Sequence, residues 1–316
     1  MDFPFYPLRF EFAALDPILF PPGKAANVLR GALGMVFRSI ACTPECRAVA
    51  SSRGCGMRAA CPYARIFEPV AEGSGPSGLA DPPRPFVFRA RHLDGVRLRA
   101  GEAFHFDLNV FSLDAETIPY FILTFSALAR EGLGASRGRA ELLRVRRLAA
   151  GWQPEAAVYP AAGAAALAHL EPVTLGLEPD PSAPGLVRVE FLSPLELKHG
   201  QRVVERPEFP ILFARVRDRI ANLRMLYGWG SPVMDYQGSA RRAEAVRLVE
   251  CLVRHVATER RSSRTGQVHQ IGGFVGSAVY EGELAEFLPW LKAARYTGIG
   301  RQAVWGKGEI RLSAAI

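Results

Sequence analysis

The chain has 316 residues, 49% of them apolar and 22% charged, and 39 Lys plus Arg against 31 Asp plus Glu leave a formal net charge of +8. That length fits one large domain or two ordinary ones, and the apolar share excludes global disorder. The longest strongly apolar stretch, 119–129, falls short of the roughly 20 residues a membrane span needs, so no membrane partner is expected. The N-terminus has no basic region followed by an apolar one, as a signal peptide would. The chain is therefore expected in the cytoplasm, where structural disulfides are rare and its five cysteines need another explanation. Arg outnumbers Lys 35 to 4, which suits forked phosphate contacts and also follows from a GC-rich genome; nucleic acid comes first as an acidic partner.

Tyr6–Ala14 alternates with Leu8, Phe10 and Phe12 on one face, the period of a half-buried strand. Leu29, Leu33, Val36, Phe37 and Ile40 recur at helical spacing over 25–40. A cysteine-bearing insertion, 42–63, follows; 86–99, turning at Asp94-Gly95, and 103–111 then read as strands. Thr117 opens a second helix that Gly132 ends, and 141–148 is a further strand. Residues 151–185, biased to Ala, Pro and Gly, are expected to link two domains, 1–150 and 186–316. The second half repeats the order: strand 186–194, helix 208–227, strands 243–258 and 269–280, helix 283–296 and strand 309–312, with Pro289 a possible start for that last helix. The fold class is thus α+β, two tandem ferredoxin-like βαββαβ domains.

Between the last helix and the last strand, 298–308 reads GxGxxxxxGxG. Glycines let backbone approach a ligand, and successive N–H groups in such loops form anion-binding concavities; a dinucleotide fingerprint is excluded, because that motif follows a strand and opens a helix. Cys42, Cys46, Cys55 and Cys61 are spaced C-x3-C-x8-C-x5-C. Four thiolates satisfy a structural zinc site, while an iron–sulfur cluster or four unligated thiols remain open. Arg137, Arg139, Arg144, Arg146 and Arg147, and Arg241, Arg242, Arg247 and Arg254, form two basic clusters expected to meet nucleic-acid backbone. His105, alternating outward on its strand, and His255, on a strand with Arg254, are placed to line a nucleic-acid path, whereas His92, His169 and His199, by loops or linkers, carry no signal.

The glycine string in a doubled ferredoxin-like chain resembles the signature of the repeat-associated mysterious proteins (RAMPs). More closely, the chain is similar to the CRISPR-associated endoribonucleases that cut precursor crRNA. Leu29-Arg-Gly-Ala-Leu-Gly34, the cysteine segment ending Cys61-Pro-Tyr63, and 260–264 leading into Gly272-Gly273-Phe274-Val275-Gly276 resemble the branch found with type III systems. The resemblance implies cleavage without a catalytic metal: a 2′-hydroxyl attacks the adjacent phosphorus, leaving a 2′,3′-cyclic phosphate and a 5′-hydroxyl. Zinc would then only hold the fold. The implied partners are CRISPR repeat RNA and a CRISPR effector complex. Many relatives place a catalytic histidine on or just after the first helix, but none precedes His92 here. The catalytic role passes to Lys24 and Arg30 of the matching region and to His269. RNA contacts fall to Arg260, Arg261, Arg264, Gly298, Gly300, Arg301, Gly306, Lys307 and Gly308. Two alternatives stay open, a non-catalytic crRNA-binding RAMP subunit and a nucleotide-binding regulatory protein.

Overall fold

A computed structural model describes residues 1–48, 51–70, 82–112, 115–160, 170–200, 202–257, 259–261, 268–270, 272–300 and 302–314. The chain divides into two compact units: 4–173 with 226–228, and 1–3 with 174–225 and 229–316. Each is a ferredoxin-like sheet with helices on one face.

In the N-terminal unit, β1 (Asp2–Ala14), α1 (Ala25–Ala41), β2 (Phe86–Arg89), β3 (Ala103–Val110), α4 (Thr117–Glu131) and β4 (Ala140–Leu148) make the βαββαβ core. Two short helices, α2 (Pro44–Ala48) and α3 (Pro62–Phe67), lie between α1 and β2. The strand order is β2-β3-β1-β4, extended by β5 (Pro154–Tyr159). Alternation in β1 buries Leu8, Phe10 and Phe12 completely. Their register partners on β3 are Leu108, Phe106 and Phe104. The facing rings stack, Phe10 on Phe106 at 5.4 Å and Phe12 on Phe104 at 5.1 Å. Phe125 of α4 closes the layer edge-on, 4.8 Å from Phe106 and 5.0 Å from Phe10. Burying each such ring contributes about 1.5–3 kcal/mol, which fixes the helices over this face.

In the C-terminal unit, β6 (Leu186–Leu195), α5 (Phe209–Leu226), β7 (Arg247–Val256), β10 (Gly273–Glu281), α7 (Leu288–Thr297) and β11 (Ile310–Ala314) repeat the motif. Helix α6 (Tyr236–Glu244) precedes β7, and a hairpin of β8 (Glu259–Arg261) and β9 (Val268–Gln270) precedes β10. The order β7-β10-β6-β11 is antiparallel throughout and matches that of the first unit, position for position. Val187, Val189 and Phe191 of β6 meet Leu212, Val216, Ile220 and Leu223 of α5 in its core, all 3% exposed or less.

Three parts of the sequence reading are sharpened by the structure, each for a physical reason. The span 243–258 is not one strand: α6 ends at Glu244 and the strand starts at Arg247. The span 151–185 holds β5, an outer strand whose first four residues are exposed, so no apolar alternation marks it. The helix expected over 283–296 begins only at Leu288, with Pro289 in its first turn, where a missing N–H costs nothing.

Candidate nucleic-acid interface and catalytic groups

Helix α1 carries two of the expected catalytic cations in unlike settings. Lys24 is exposed at the N-cap position and makes no capping hydrogen bond of its own. The cap comes from afar: Asp94 Oδ1 accepts from the Ala25 N–H at 2.9 Å. The Arg30 guanidinium instead lies over the Phe67 ring of α3, 5.7 Å from its centroid. Gly34 lies beside that stack, and a Cβ there would make only ordinary contact, 3.4 Å from Arg30 Nη1 and 3.5 Å from Phe67 Cε1. The Leu29-to-Gly34 motif is explained in part by packing: Leu29 and Leu33 enter the core and Arg30 covers Phe67.

The cysteine insertion gathers its thiols as two pairs. Cys55 donates to Cys46 at an S···S distance of 3.1 Å, and none of the five cysteines is in a disulfide. Cys42 and Cys61 are buried together, with Cys46 and Tyr63 packed against them. Burial, then the neighbouring Cys61 thiol, pushes Cys42 up to about 11. Hydrogen bonds to Thr43 and Cys55 draw Cys46 down, while its bond to Cys46 holds Cys55 up. Among the described residues no group of three or more His, Cys, Asp or Glu side chains is disposed to hold a metal ion. Four thiols are the right donors for zinc, and Cys46 links the two pairs, packing against Cys42 and Cys61 while it accepts from Cys55.

The glycine string forms a closed turn. Gly298, Gly300, Gly306 and Gly308 all have positive φ. A Cβ on Gly308 would lie 2.0 Å from the Ile299 carbonyl oxygen, so only glycine fits. Much of the backbone is already committed: the N–H groups of Gly298, Ile299, Gly306 and Gly308 donate to the carbonyls of Ala294, Gly308, Ala303 and Pro194. Those four amides are unavailable to an anion, contrary to the concavity expected from the glycines. Lys307, expected to meet RNA, is only 4% exposed. Arg301 and Arg264 lie outside the described residues.

Two sets of residues around this turn escaped the sequence reading. Arg219 of α5 is buried, donating through Nε to the Thr297 carbonyl at 2.8 Å and through Nη1 to that of Gly300 at 3.4 Å. It thus clamps the entry of the turn. Its signal was an arginine beside the buried stripe, one residue before Ile220. Lys198 and Arg215, with Glu196, Ile299, Gly300 and Gln302, line a small cavity of about 70 Å³ against the turn. Their charge is partly offset, Lys198 by Glu196 at 3.5 Å and Arg215 by Asp218 at 3.2 Å.

His269 lies on β9 opposite Arg260, with Arg261 opposite Val268. His269 therefore belongs to the C-terminal unit, and Lys24 and Arg30 to the N-terminal one. Much of the remaining basic surface is ion-paired: Arg139 with Asp16, Arg146 and Arg144 with Glu11, Arg147 with Glu155, Arg242 with Glu286 and Arg247 with Glu281. Clusters that look uniformly basic along the chain are interleaved with carboxylates in space. No helix among the described residues is long and apolar enough to cross a membrane.

Residues 3–171, more than half of the chain, match the family model of the AF_1859_N N-terminal domain, and 189–310 match that of the CRISPR-associated endoribonuclease Cas6. Among solved structures, the chain is similar to the Thermus thermophilus Cas6 (TTHB231) in its product complex, with 15% identity, 98% of this chain and 100% of that one covered, and a TM-score of 0.53. It is also similar to a chain of a partial Cas6-RT-Cas1–Cas2 complex, with 11% identity, 99% of this chain and 47% of that one covered, and a TM-score of 0.56. At these identities the likeness is one of fold. No curated protein matches the chain.

Proposed function

The chain carries the AF_1859_N N-terminal domain over 3–171 and a CRISPR-associated endoribonuclease Cas6 domain over 189–310, and from that premise we propose that it binds CRISPR repeat RNA in the cytoplasm and cleaves precursor crRNA through the RNA's own 2′-hydroxyl. The observation that carries this reading is the glycine turn between the second helix and last strand of a second ferredoxin-like unit, inside the 189–310 span matched to Cas6. In the reaction a base takes the 2′ proton, the oxygen attacks phosphorus in line, and an acid protonates the departing 5′ oxygen, leaving a 2′,3′-cyclic phosphate and a 5′-hydroxyl. Positioned acid, base and cations supply what such a step needs. Lys24 is exposed and available as a clamp on the phosphate. Arg30, packed over Phe67, reads better as a support of α1. Arg260, Arg261, Lys198 and Arg215 are assigned to the RNA backbone, and Gly298, Gly300, Gly306 and Gly308 to the turn that shapes the surface.

Structural zinc on Cys42, Cys46, Cys55 and Cys61 belongs to this proposal on donor chemistry alone. Metal analysis of the purified protein checks it, with one equivalent expected and none in Cys46→Ser/Cys55→Ser. A second reading, a crRNA-binding RAMP subunit that does not cut, draws on the lack of any histidine before His92. Incubation with repeat RNA of the chain's own locus in EDTA separates the two. A single cut bearing a cyclic phosphate, abolished by one 2′-deoxy substitution at the cut site, supports the endoribonuclease; binding of both RNAs without product supports the subunit.

A further inference from the structure

The face of the N-terminal sheet turned away from the phenylalanine core carries a second array of side chains. Strand register sets His105 beside Glu11 and Glu11 beside Arg144 in one row, with Asp107, Arg9 and Arg146 in the next. The carboxylates here are taken. Asp107 accepts from Arg9 at 2.7 and 2.9 Å, and Glu11 accepts from Arg146 Nε at 2.9 Å while holding Arg144 at 3.3 Å. The His105 ring packs instead on His92, with centroids 4.5 Å apart and planes 27° apart. His92 Nε2 lies 2.8 Å from the His105 carbonyl oxygen. A carbonyl can only accept, so Nε2 carries a proton and Nδ1 is the nitrogen left for proton transfer.

The turn that carries His92 also leads to the mouth of α1, where Lys24 is proposed as a phosphate clamp. His92 stands on the single turn Arg91–Leu93, and the next residue after that turn, Asp94, caps α1 immediately after Lys24. Among the described residues the two are also the only histidines of the N-terminal unit. Their surroundings differ. His105 is half-buried, and burial, followed by Arg9 and His92, pushes it below the ordinary imidazole value against the opposing pull of Asp107 and Glu11. That direction favours the neutral ring, which can accept a proton, and the His92 ring is exposed.

We propose that His105 and His92 are the base and the acid of the RNA cleavage, a role that rests on the endoribonuclease reading above. The 2′-hydroxyl proton passes to the His105 ring as the 2′ oxygen bonds to phosphorus. The bond from phosphorus to the 5′ oxygen breaks, and protonated His92 delivers its Nδ1 proton to that oxygen. His105 ends protonated and His92 neutral, and exchange with water resets both. The histidine missing from the first helix is thus replaced from the β2–β3 side of the sheet.

The test is single-turnover cleavage in EDTA with protein in excess, comparing wild type, His92→Ala, His105→Ala and His105→Gln. Each is run on the repeat RNA and on the same RNA with a bridging 5′ sulfur at the scissile phosphate. A thiolate leaves without protonation, so the sulfur RNA reports the acid alone. Each variant should cut the ordinary RNA at least about 100-fold more slowly, the size of a general acid–base contribution. RNA affinity and melting temperature should be unchanged. The sulfur RNA should restore His92→Ala towards wild type and leave both His105 variants slow. The proposal is overturned if the variants cut at the wild-type rate, if affinity falls in parallel with rate, or if the sulfur RNA rescues all of them or none. His105→Gln keeps a polar side chain of similar reach should the alanine variant fold poorly. If wild type cuts no repeat RNA at all, the endoribonuclease reading itself has failed, and this proposal with it.

Discussion

The two ferredoxin-like units share one strand order and differ in what fills and interrupts it. The N-terminal unit is built on facing phenylalanines of β1 and β3, closed by Phe125. The C-terminal unit buries valines of β6 and aliphatic residues of α5, and its rings gather as one cluster of Phe209, Phe213, Tyr280, Phe287 and Trp290 beside a separate Phe191–Phe274 pair. Strand order thus depends on where the periodicities of 2 and 3.6 alternate along the chain, not on which apolar residues carry them. The residues proposed for chemistry lie where each unit breaks the shared pattern. In the first the breaks are the cysteine insertion and the His92 turn; in the second they are the hairpin at Arg260 and the glycine turn.

The largest effect that would test this contrast comes from the aromatic ladder. Phe106 touches Phe10, Phe12, Phe88 and Phe125 and is completely buried. Phe106→Ala should cost about 3–5 kcal/mol, because the stacked rings around it cannot collapse into the space without losing one another. Urea unfolding checks it. A loss no larger than a buried valine methyl group would mean that the ladder is replaceable filling and the comparison between cores is empty.

Glycine sharpens the contrast at smaller magnitude. Gly308→Ala would place a methyl group 2.0 Å from the Ile299 carbonyl oxygen at a φ of +66°, and should cost about 1–3 kcal/mol in backbone strain. Gly31 lies within α1, and a methyl group added there would meet nothing within 4 Å. Gly31→Ala should therefore stabilise by about 0.8 kcal/mol, the difference between the two residues in a helix interior. The same substitution is expected to act with opposite sign in the two glycine-bearing motifs. Thermal melts of the two variants decide it.

The elements that sequence revealed and those it concealed follow the same logic. Strand β1 and helices α1, α4 and α5 each bury one regular stripe, so their periodicity is legible residue by residue. Helix α6 buries only Ser239 and Ala243, and its run of Arg, Ala and Glu carries no stripe. Residues 243–258 then look like one alternating strand. The glycine turn was legible as a motif, but which of its amides and cations are spent internally depends on Pro194 and on Arg219, far away in the chain. The His92–His105 pair was illegible for the same reason: 13 residues and a hairpin separate two rings that stack only once β3 is in register. Local periodicity foretells elements; partnerships across strands and loops need the register.

The smallest expected effect concerns how two helices begin. Helix α6 is capped locally, Asp235 Oδ1 accepting from the Gly238 N–H at 2.8 Å, three residues on. Helix α1 is capped by Asp94, 69 residues away, across the loop that also carries His92. Either aspartate replaced by alanine should cost about 1 kcal/mol, the ordinary worth of an N-cap. The consequences should nevertheless diverge. Losing Asp235 leaves a donor exposed at the start of a surface helix. Losing Asp94 also unties the turn that holds His92 from the mouth of α1. Asp94→Ala should therefore slow RNA cleavage by more than its stability loss explains, Asp94→Asn should recover most of both because its amide oxygen still accepts, and Asp235→Ala should leave cleavage unchanged. Equal cleavage by Asp94→Ala and Asp235→Ala at matched stability would show that the distant cap holds a helix and nothing else.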